Sequence, residues 1–346
     1  MNYIPRERFD LLGNGKIRKD DILFCLRGSL GKFAGVGDLN EGAIASSLVI
    51  IRPGSAILNE FVLAYLQSDL CAEMISQFRN GAAQPNLAAA SLKKFRIPVP
   101  PLPEQQRIVG ILDKAFAGIA VAVANAEKNL QNARALFESH LQSVFTQRGE
   151  GWEDRSLVSS CDYFFDSAHR TPKYQKEGIP ALRPRDVVNG RLNLLDTACV
   201  SEEEYEIQSK RYKPAAGDIV YSRELSYGWA ALLPETPRVC LSQGMCIFRP
   251  NREVDSAFLL YFLNSLTGRE QATRVAVGSA HPHINLGDIK SYSIPRPSCD
   301  EQKQIARQFD ALAAETKRLA SIYERKLAAL LELKKSLLHQ AFRGEL

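Results

Sequence analysis

The sequence repeats itself at a constant shift of 197 residues, and this repeat constrains the fold more than any other feature. Asp21-Ile22 recurs as Asp218-Ile219. A shift that is kept without a gap indicates that a whole structural unit has been duplicated. Identical residues stand at this shift along most of the chain: Gly31 and Gly228, Arg52-Pro53 and Arg249-Pro250, Phe61 and Phe258, Ser68 and Ser265, Gly81 and Gly278, Pro85 and Pro282, Ile97-Pro98 and Ile294-Pro295, Glu104-Gln105 and Glu301-Gln302, Asp113 and Asp310, Leu141 and Leu338, Phe145 and Phe342.

Each repeat contains the same junction, in residues 95–108 and again in residues 292–305. A short apolar strand is predicted first, then a proline-rich break, then Glu-Gln at the start of a long helix. Prolines cannot continue a strand ladder, and they force extended backbone on the residue before them. Glu104 and Glu301 fall in the first helical turn, where a carboxylate faces the positive end of the helix dipole. The sequence therefore predicts a globule followed by a long helix, twice.

The repeat also predicts the domain boundaries. The second unit begins near Gly151-Trp152, and the counterpart of that position lies before residue 1. We therefore expect roughly the first 45 residues of the first unit to be absent from this sequence. The expected domains are a first, N-terminally incomplete globule in residues 1–103, a helical spacer in 104–150, a complete globule in 151–300 and a second helical spacer in 301–346.

Within the first globule, residues 21–26 and 47–51 are β-branched and apolar between turn signals, so they are predicted strands. Residues 55–79 carry apolar side chains at helical spacing and are predicted to form one helix, which Asn80-Gly81 ends. The fold class expected from these elements is α+β, with two α/β globules in tandem.

The two predicted spacers carry matching apolar stripes. About 40 helical residues extend roughly 60 Å, and a single helix of that length buries its stripe only against another helix. A mostly 3-4 spacing predicts a coiled-coil seam between the two helices. The stripe positions are Ile108, Leu112, Ala115, Ile119, Ala122, Ala126, Leu130, Ala133, Phe137, Leu141 and Val144 in the first helix, and Leu312, Leu319, Tyr323, Leu330, Leu333 and Leu337 in the second.

Composition narrows the class of protein. The chain has 346 residues, 45% of them hydrophobic and 24% charged, as in soluble globular proteins. No uninterrupted apolar run reaches about 18 residues, so we expect no membrane span. The seven cysteines are scattered without a Cys-x-x-Cys pair, which predicts reduced, buried thiols in a cytoplasmic protein. A net charge of +5 allows a polyanionic partner without requiring one.

Two polar loops of the second globule are candidates for contact with nucleic acid. Residues 170–191 hold six basic residues against two acids, which can grip phosphates and read base edges. The simpler interpretation, a solvated surface loop, is equally compatible with that composition. Residues 277–284 hold two histidines at i and i+2, but no ligand-type neighbours at metal spacing except Asp288. We therefore expect donors to nucleic acid there and no metal.

At the level of motifs, the chain resembles the specificity subunit of type I restriction–modification systems. The resemblance rests on a β-globule ending in Ile-Pro-x-Pro, followed by Glu-Gln-x-x-Ile opening a long helix, twice in tandem. His169-Arg-Thr-Pro172 is similar to the family's Gly-x-Thr-Pro segment, with histidine where glycine is more usual. Ile179-Pro-Ala-Leu-Arg183 is similar to its Ile-Pro-x-Leu/Trp-Arg segment, and residues 340–346 resemble its C-terminal ending.

The resemblance implies that two target-recognition domains each read one half of a split, asymmetric site in double-stranded DNA. It also implies an antiparallel pair of helical spacers that sets the separation of the halves. The implied partners are two modification subunits, which methylate adenine with S-adenosylmethionine, and through them the ATP-dependent restriction subunits. The chain has no phosphate-binding Gly-x-x-x-x-Gly-Lys-Ser/Thr loop and no Asn/Asp-Pro-Pro-Tyr methylase motif. We therefore expect no catalytic residues, no cofactor and no metal in this subunit.

The expected DNA-contacting residues lie on polar loops of both repeats, because a duplicated protein presents two similar faces. The candidate DNA-contacting residues are Arg170, Lys173, Arg183, Arg185, Arg223, Tyr227, Ser279, His281 and His283 in the second globule, and Arg27, Ser29, Lys32, Gln84 and Asn86 in the first.

Two alternative functions remain. The chain could be a helical scaffold that binds protein partners, or a defective specificity subunit that reads one half-site because its first globule is incomplete.

Overall fold

The computed structural model describes residues 3–39, 41–81, 85–168 and 170–346. The chain divides into two compact units, which are described separately. Unit 1 comprises Met1–Leu130 and Ile322–Leu346, and unit 2 comprises Gln131–Ser321. Each of the two longest helices therefore contributes one part to each unit.

Unit 1 is built on a three-stranded antiparallel sheet. Its described elements are α1 (Arg6–Asp10), β1 (Lys16–Ile17), β2 (Ile22–Cys25), β3 (Phe33–Gly35), β4 (Gly42–Ala43), β5 (Leu48–Ile51), α2 (Asn59–Leu66), α3 (Asp69–Phe78), α4 (Ala89–Leu92) and the first part of α5 (Leu102–Gln147). The strand order is β3-β2-β5, and the register sets Ile22 opposite Ile51. Ile22 and Phe24 alternate inward along β2 and are fully buried, as the two-residue period of a strand requires. The predicted strands at 21–26 and 47–51 are thus confirmed.

The single helix predicted over residues 55–79 is wrong, because Ser68 divides it into α2 and α3. The Ser68 hydroxyl donates to the Tyr65 carbonyl at 2.6 Å, and the same oxygen accepts from the Cys71 amide at 3.4 Å. It thereby satisfies a carbonyl at the end of α2 and caps the start of α3.

Unit 2 carries a larger β structure. Its described elements, after the last part of α5, are β6 (Glu153–Ser156), β7 (Cys161–Asp166), β8 (Ile179–Leu182), β9 (Val187–Val188), β10 (Arg191–Leu192), β11 (Cys199–Val200), α6 (Glu202–Gln208), β12 (Ile219–Ser222), β13 (Ala230–Leu232), β14 (Cys240–Leu241), β15 (Met245–Pro250), α7 (Ser256–Asn264), α8 (Leu266–Val275), α9 (Leu286–Lys290), β16 (Ser293–Arg296) and the first part of α10 (Cys299–Arg343). One sheet has the order β13-β12-β15-β7, a second has β11-β8-β14, and β16 pairs with β6. The main core packs α7 and α8 on the first sheet, around Tyr221, Phe248 and Phe258.

The duplication extends to individual hydrogen bonds. The buried Gln105 side chain accepts from the Leu58 amide at 2.8 Å and donates to the carbonyls of Ala56 and Pro100. Gln302 makes the same three bonds, with the amide of Asp255 and the carbonyls of Glu253 and Pro297. All three partners are displaced by 197 residues. The repeated Glu-Gln therefore ties each long helix to the loop that precedes the first helix of its own repeat.

The strand predicted before each long helix forms only in the second repeat. Residues 293–296 form β16 against β6, whereas residues 95–99 form no strand in the described part of unit 1. A strand needs a neighbour to take up its backbone hydrogen bonds, and β6 supplies that neighbour only to the second repeat. The prediction for the first repeat was wrong for this reason.

The long helices pack antiparallel within each unit. In unit 1, Ile108 and Leu112 near the start of α5 share a core with Leu338 and Phe342 near the end of α10. In unit 2, Phe145 near the end of α5 meets Phe309 near the start of α10, with ring centroids 5.8 Å apart. The predicted antiparallel pairing is confirmed.

One residue of the second stripe is misplaced in the prediction. Leu333 is 48% exposed. Lys334 instead turns inward, with its ammonium 4.8 Å from the Phe116 ring centroid. The seam thus shifts by one residue at this turn. A lysine can take the inward position because its long aliphatic stem covers apolar surface while its ammonium group stays near water.

The helix α5 is long and apolar enough, by length and composition alone, to cross a membrane; its most apolar 18-residue window has a mean hydropathy of 1.7. The expectation of no membrane span rests on uninterrupted apolar runs, and Asp113-Lys114 interrupts this apolar stretch. Of that window, 11% is buried; Leu112 packs in the core of unit 1 and Phe145 in the core of unit 2.

Candidate nucleic-acid interface

Two polar loops of unit 2 meet at one end of the main sheet. The first is the turn between β12 and β13, where Leu225 and Gly228 have positive φ angles of 56° and 82°. The second is the loop after α8, residues 277–283. The Leu225 amide donates to the Pro282 carbonyl at 2.9 Å, and Glu224 forms a β-bridge with His283. The predicted candidates Arg223, Tyr227, Ser279, His281 and His283 therefore belong to one loop cluster.

A third segment, Pro184–Asp186, joins this cluster. A short 3-10 turn forms here because the Asp186 carboxylate accepts from the Arg183 amide at 2.9 Å. A Cβ on Gly244 would lie 3.0 Å from both Pro184 and the Glu224 carboxylate. Since that gap has no room for a side chain, Gly244 lets the turn approach Glu224 closely. The turn that carries Arg183 and Arg185 therefore lies next to Glu224 of the first loop.

Three of the predicted arginines are held by carboxylates. Arg170 donates twice to the buried Glu204, at 2.8 and 3.0 Å. Arg183 pairs with Asp186 at 3.0 Å, and Arg223, which is 9% exposed, lies 3.4 Å from Asp166. An arginine already paired with a carboxylate has less of its charge available to phosphate, so these three side chains primarily fix the loops.

The remaining candidates of unit 2 face solvent. Lys173, Ser279, His281 and His283 are exposed, while Tyr227 is half-buried against the core. Arg185 is 66% exposed at its side chain, with its nearest carboxylate oxygen, on Asp186, at 3.9 Å. A weakly paired, exposed guanidinium can form the bidentate contacts that discriminate bases. Among the predicted arginines of unit 2, Arg185 has the most exposed side chain and the longest distance to a carboxylate.

Unit 1 repeats the arrangement with different side chains. The turn between β2 and β3 carries Arg27, Ser29 and Lys32, all exposed. Arg27 forms a β-bridge with Asn86, displaced by 197 residues from the bridge between Glu224 and His283. Arg27 and Lys32 have no ion-pair partner within residues 3–39, 41–81, 85–168 and 170–346. Gln84, and His169 of the Gly-x-Thr-Pro-like motif, lie outside the described residues.

An arginine–aspartate pair supports the sheet behind each loop cluster. In unit 1, Arg52 donates to both oxygens of the buried Asp21, at 2.6 and 2.7 Å. Hydrogen bonding from Arg52 lowers the pKa of Asp21 below its ordinary value of 3.8. In unit 2, Arg249 takes the place of Arg52 and lies 2.7 Å from Asp218. Asp218 also accepts from Tyr212, and burial raises the pKa of that tyrosine to about 12.

The cysteines take no part in the loop clusters. All seven thiols are free; Cys71, Cys240 and Cys246 are buried, as predicted, whereas the other four are half-buried. Burial raises the pKa of Cys71 and of Cys240 to about 12, so these thiols stay protonated and unreactive. No group of three or more histidine, cysteine or acidic residues suited to a metal occurs among the described residues.

Sequence reasoning missed the acidic partners of the arginines. Glu204 lies 34 residues from Arg170 in sequence, and no spacing rule links a loop arginine to an acid on a distant helix. Asp166 likewise lies far from Arg223 in sequence, at the end of β7. These pairings depend on the tertiary fold and carry no local signal.

Comparison with known proteins identifies the family. Residues 9–129 and 149–324 match the family described as the type I restriction modification DNA specificity domain. The chain belongs to this family. The prediction made from the duplicated junction is thereby confirmed, including the tandem organisation, since the two matched stretches correspond to the two repeats.

Curated relatives of this specificity family align over most of the chain. The specificity subunit of the type I restriction enzyme EcoKI from Escherichia coli K12 is 26% identical, covering 96% of this chain and 76% of its own length. The specificity subunit of the type I restriction enzyme MjaVIII from Methanocaldococcus jannaschii is 23% identical, covering 86% of this chain and 73% of its own. Since the relatives are specificity subunits, the prediction of a non-catalytic DNA-recognition subunit is confirmed.

Solved structures share the fold of this specificity subunit. A chain from a study of complex assembly and conformational transition of the type I R-M system has a TM-score of 0.78 at 21% identity, covering 96% of this chain and 83% of that chain. The HsdS subunit from Thermoanaerobacter tengcongensis has a TM-score of 0.66 at 22% identity, covering 96% and 82%.

Proposed function

We propose that this specificity subunit reads a bipartite, asymmetric site in double-stranded DNA, with one loop cluster for each half. The observation that carries the proposal is the equivalence of the two clusters. The bridge between Arg27 and Asn86 and the bridge between Glu224 and His283 occupy the same place in the two repeats. The backbone framework is the same and the side chains differ, so the two half-sites differ in sequence and the whole site is not a palindrome.

The proposed domains follow the repeat: target-recognition domains in residues 1–103 and 151–300, and helical spacers in 104–150 and 301–346. In this proposal the paired spacers fix the distance between the half-sites. The chain positions two modification subunits, and through them the restriction subunits, in the cytoplasm. The membership of the chain among type I specificity subunits supports these partners.

Chemistry is assigned to the partners and recognition to this chain. Methyl transfer needs a cofactor pocket, and cleavage coupled to ATP needs a phosphate-binding loop; the sequence carries the motif of neither. The proposal therefore predicts that the purified chain has no methyltransferase, nuclease or ATPase activity.

Arg185→Ala tests the recognition face. A bidentate arginine on guanine contributes about 1–3 kcal/mol of discrimination, whereas a phosphate contact contributes none. We expect this variant, assembled with the modification subunits, either to tolerate another base at one position of one half-site or to bind all sites more weakly with a shallower salt dependence. The measurement is competition binding with single-base variants of the site at several salt concentrations.

Arg155→Ala is the matched control, because Arg155 is an exposed arginine on β6, outside the loop cluster, with a side-chain exposure of 55%. It removes the same charge and should leave affinity and base preference unchanged. If the Arg155 and Arg185 variants behaved alike, Arg185 would not lie at the DNA interface.

A further inference from the structure

The two loop clusters carry opposite charges at one equivalent position. Glu224 of unit 2 and Arg27 of unit 1 are separated by the repeat shift of 197 residues. Each directly follows a buried residue, Arg223 in unit 2 and Leu26 in unit 1. Because side chains alternate along an extended chain, Glu224 and Arg27 point away from the core. The Glu224 side chain is 33% exposed, and Arg27 is exposed.

The backbone around this position is the same in the two units. Four backbone hydrogen bonds recur with donor and acceptor both displaced by 197 residues, and all eight are 2.8 to 3.0 Å long. Side chains 224 and 27 therefore leave equivalent backbone in the same direction relative to their own sheets. The bonds, written from donor to acceptor, are Arg223 to Gly244, Gly228 to Ser222, Ile284 to Arg223 and His283 to Val277 in unit 2, and Leu26 to Ser47, Gly31 to Cys25, Leu87 to Leu26 and Asn86 to Asn80 in unit 1.

Glu224 differs from the acids around it because no arginine is hydrogen-bonded to its carboxylate. Asp186 lies 3.0 Å from Arg183, and Asp166 lies 3.4 Å from Arg223. The Glu224 carboxylate comes no closer to Arg223 than 3.8 Å, which is too far for a hydrogen bond. Within the described part of unit 2 it has no other charged partner. The carboxylate therefore remains available to a ligand.

Arg27 is available in the same way. Its guanidinium has no ion-pair partner in the described ranges of the chain, and the residue bridged to it, Asn86, carries no charge. The two units thus present an acceptor and a donor from the same place on the same framework.

The edges of the bases decide what each side chain can bind. The major groove admits a two-stranded β-ribbon, and there cytosine presents the donor N4, whereas guanine presents the acceptors O6 and N7. A carboxylate only accepts hydrogen bonds, and a guanidinium only donates them. Adenine places the acceptor N7 beside the donor N6, so its edge suits the amide of glutamine better than a carboxylate. Glu224 therefore matches cytosine, and Arg27 matches guanine.

We propose that positions 224 and 27 determine base specificity, Glu224 by accepting a hydrogen bond from N4 of a cytosine and Arg27 by donating to O6 and N7 of a guanine. The inference rests on the proposed function, since it requires each loop cluster to lie against one half-site. A carboxylate beside phosphates lowers affinity for every duplex alike, and the bond to cytosine offsets this only at the correct site. Glu224 therefore contributes to specificity and not to general affinity.

The test uses the chain assembled with its modification subunits. Genome-wide methylation in cells gives the wild-type motif, and competition binding with duplexes that differ at one base pair gives the preference at each position. We expect one cytosine of one half-site to be preferred at least about fivefold over the other bases. Glu224→Arg should change this preference to guanine, and Glu224→Gln should change it to adenine, at the same position.

Glu270→Arg is the matched control, because Glu270 is an exposed acid on α8 whose nearest cation, Arg274, lies 3.9 Å away. It makes the same change of charge outside the loop cluster and should leave every base preference unchanged. Arg27→Glu is the reciprocal variant. It should change a guanine preference to cytosine in the other half-site only.

The outcomes separate this assignment from the proposed function. A bipartite wild-type motif whose base preferences stay the same in Glu224→Arg and Glu224→Gln would overturn the assignment and leave the proposed function standing. An equal change of preference in Glu270→Arg would also overturn it, because the effect would then come from charge alone. A continuous wild-type motif would overturn both. Glu224→Gln preserves the shape of the side chain, so it decides the question even if Glu224→Arg fails to assemble.

Discussion

Gln105 and Gln302 show how a single side chain fixes the start of a long helix. The side-chain oxygen of each glutamine accepts a hydrogen bond from one backbone amide, and its nitrogen donates to two backbone carbonyls. Both side chains are at most 1% exposed, so none of these groups can turn to water instead. A buried group left without its partner costs about 1–3 kcal/mol.

Replacement of Gln302 by leucine should therefore destabilise the junction of unit 2 by at least about 2 kcal/mol. The leucine preserves volume but leaves the Asp255 amide and two carbonyls unpaired. Hydrogen exchange at Asp255 reports the loss directly. Gln304→Leu, on an exposed position two residues away, is the control. Equal exchange at Asp255 in both variants would mean that the three bonds do not hold the junction.

Asp21 gives unit 1 a pH-dependent contribution to stability. Its pKa is lower in the folded protein than the ordinary value of 3.8, because Arg52 donates two hydrogen bonds to the carboxylate. The folded state thus binds fewer protons than the unfolded state. The stabilisation is complete above the unfolded pKa, and it is lost as pH falls through the lower folded value.

The variant Asp21→Asn should consequently be less stable than the wild type at pH 7, and the difference should shrink as pH falls below about 4. Thermal melting across that range measures it. Asp20→Asn changes the exposed neighbouring carboxylate and serves as the control. A difference between Asp21→Asn and wild type that stayed constant down to pH 2 would contradict the assigned role of the ion pair.

Among the elements, the ends of the long helices complete the two cores in equivalent ways. Phe342, near the end of α10, packs on Phe61 and Tyr65 of unit 1, with ring centroids 5.0 and 5.6 Å away. Phe145, near the end of α5, packs on Phe258 and Phe262 of unit 2 at 5.5 and 5.2 Å. Each contact is displaced by 197 residues from its equivalent. The end of α10 therefore completes the core of unit 1, and the end of α5 completes the core of unit 2 in the same way.

Phe342→Ala should therefore weaken unit 1 by about 3–5 kcal/mol, the usual cost of removing a buried phenylalanine. Amide exchange in α2 should accelerate strongly, although α2 lies far from residue 342 in sequence. Exchange in β12 and β15 of unit 2 should stay unchanged. The control is Leu333→Ala on the same helix, where the side chain is 48% exposed. Unchanged protection of α2 in Phe342→Ala would refute the shared core.

Elements whose signal is periodic and local were predictable from sequence. The duplicated junction predicted both long helices, and α5 begins at Leu102 where Glu104 predicted a first turn. Features that depend on a partner far away in the sequence could not be predicted. The strand predicted before the first long helix, in residues 95–99, needed a partner that only the second repeat has among the described residues. The pairings of Arg170 and Arg223 with acids follow from the tertiary fold. The loop residues were predictable as polar candidates, whereas their division into exposed and carboxylate-bound arginines required the structure.

At the scale of the whole molecule, the two repeats are alike in their loop clusters and differ in their sheets. The clusters indicate two reading faces built on one plan. Among the described residues, β5 of unit 1 has a strand neighbour on one side, whereas its counterpart β15 in unit 2 has one on each side. Leu48–Ile51 are correspondingly half-buried, whereas Met245–Phe248 are buried. We therefore expect faster amide exchange in residues 3–100 than in residues 151–300 in the protein alone. Equal exchange in the two units would show that the missing neighbour of β5 does not lower the local stability of unit 1.

The assignment of one half-site to each loop cluster is tested most directly by the methylation pattern that the subunit directs in cells. Genome-wide methylation should be mapped in strains that carry the modification subunit with the wild-type chain, with Arg185→Ala, or with the double change Arg27→Ala and Lys32→Ala. We predict a bipartite, asymmetric motif, in which the Arg185 change alters recognition of one half only and the Arg27 and Lys32 changes alter recognition of the other half only. A continuous motif, or variants that relax the same half, would contradict the assignment of one half-site to each loop cluster.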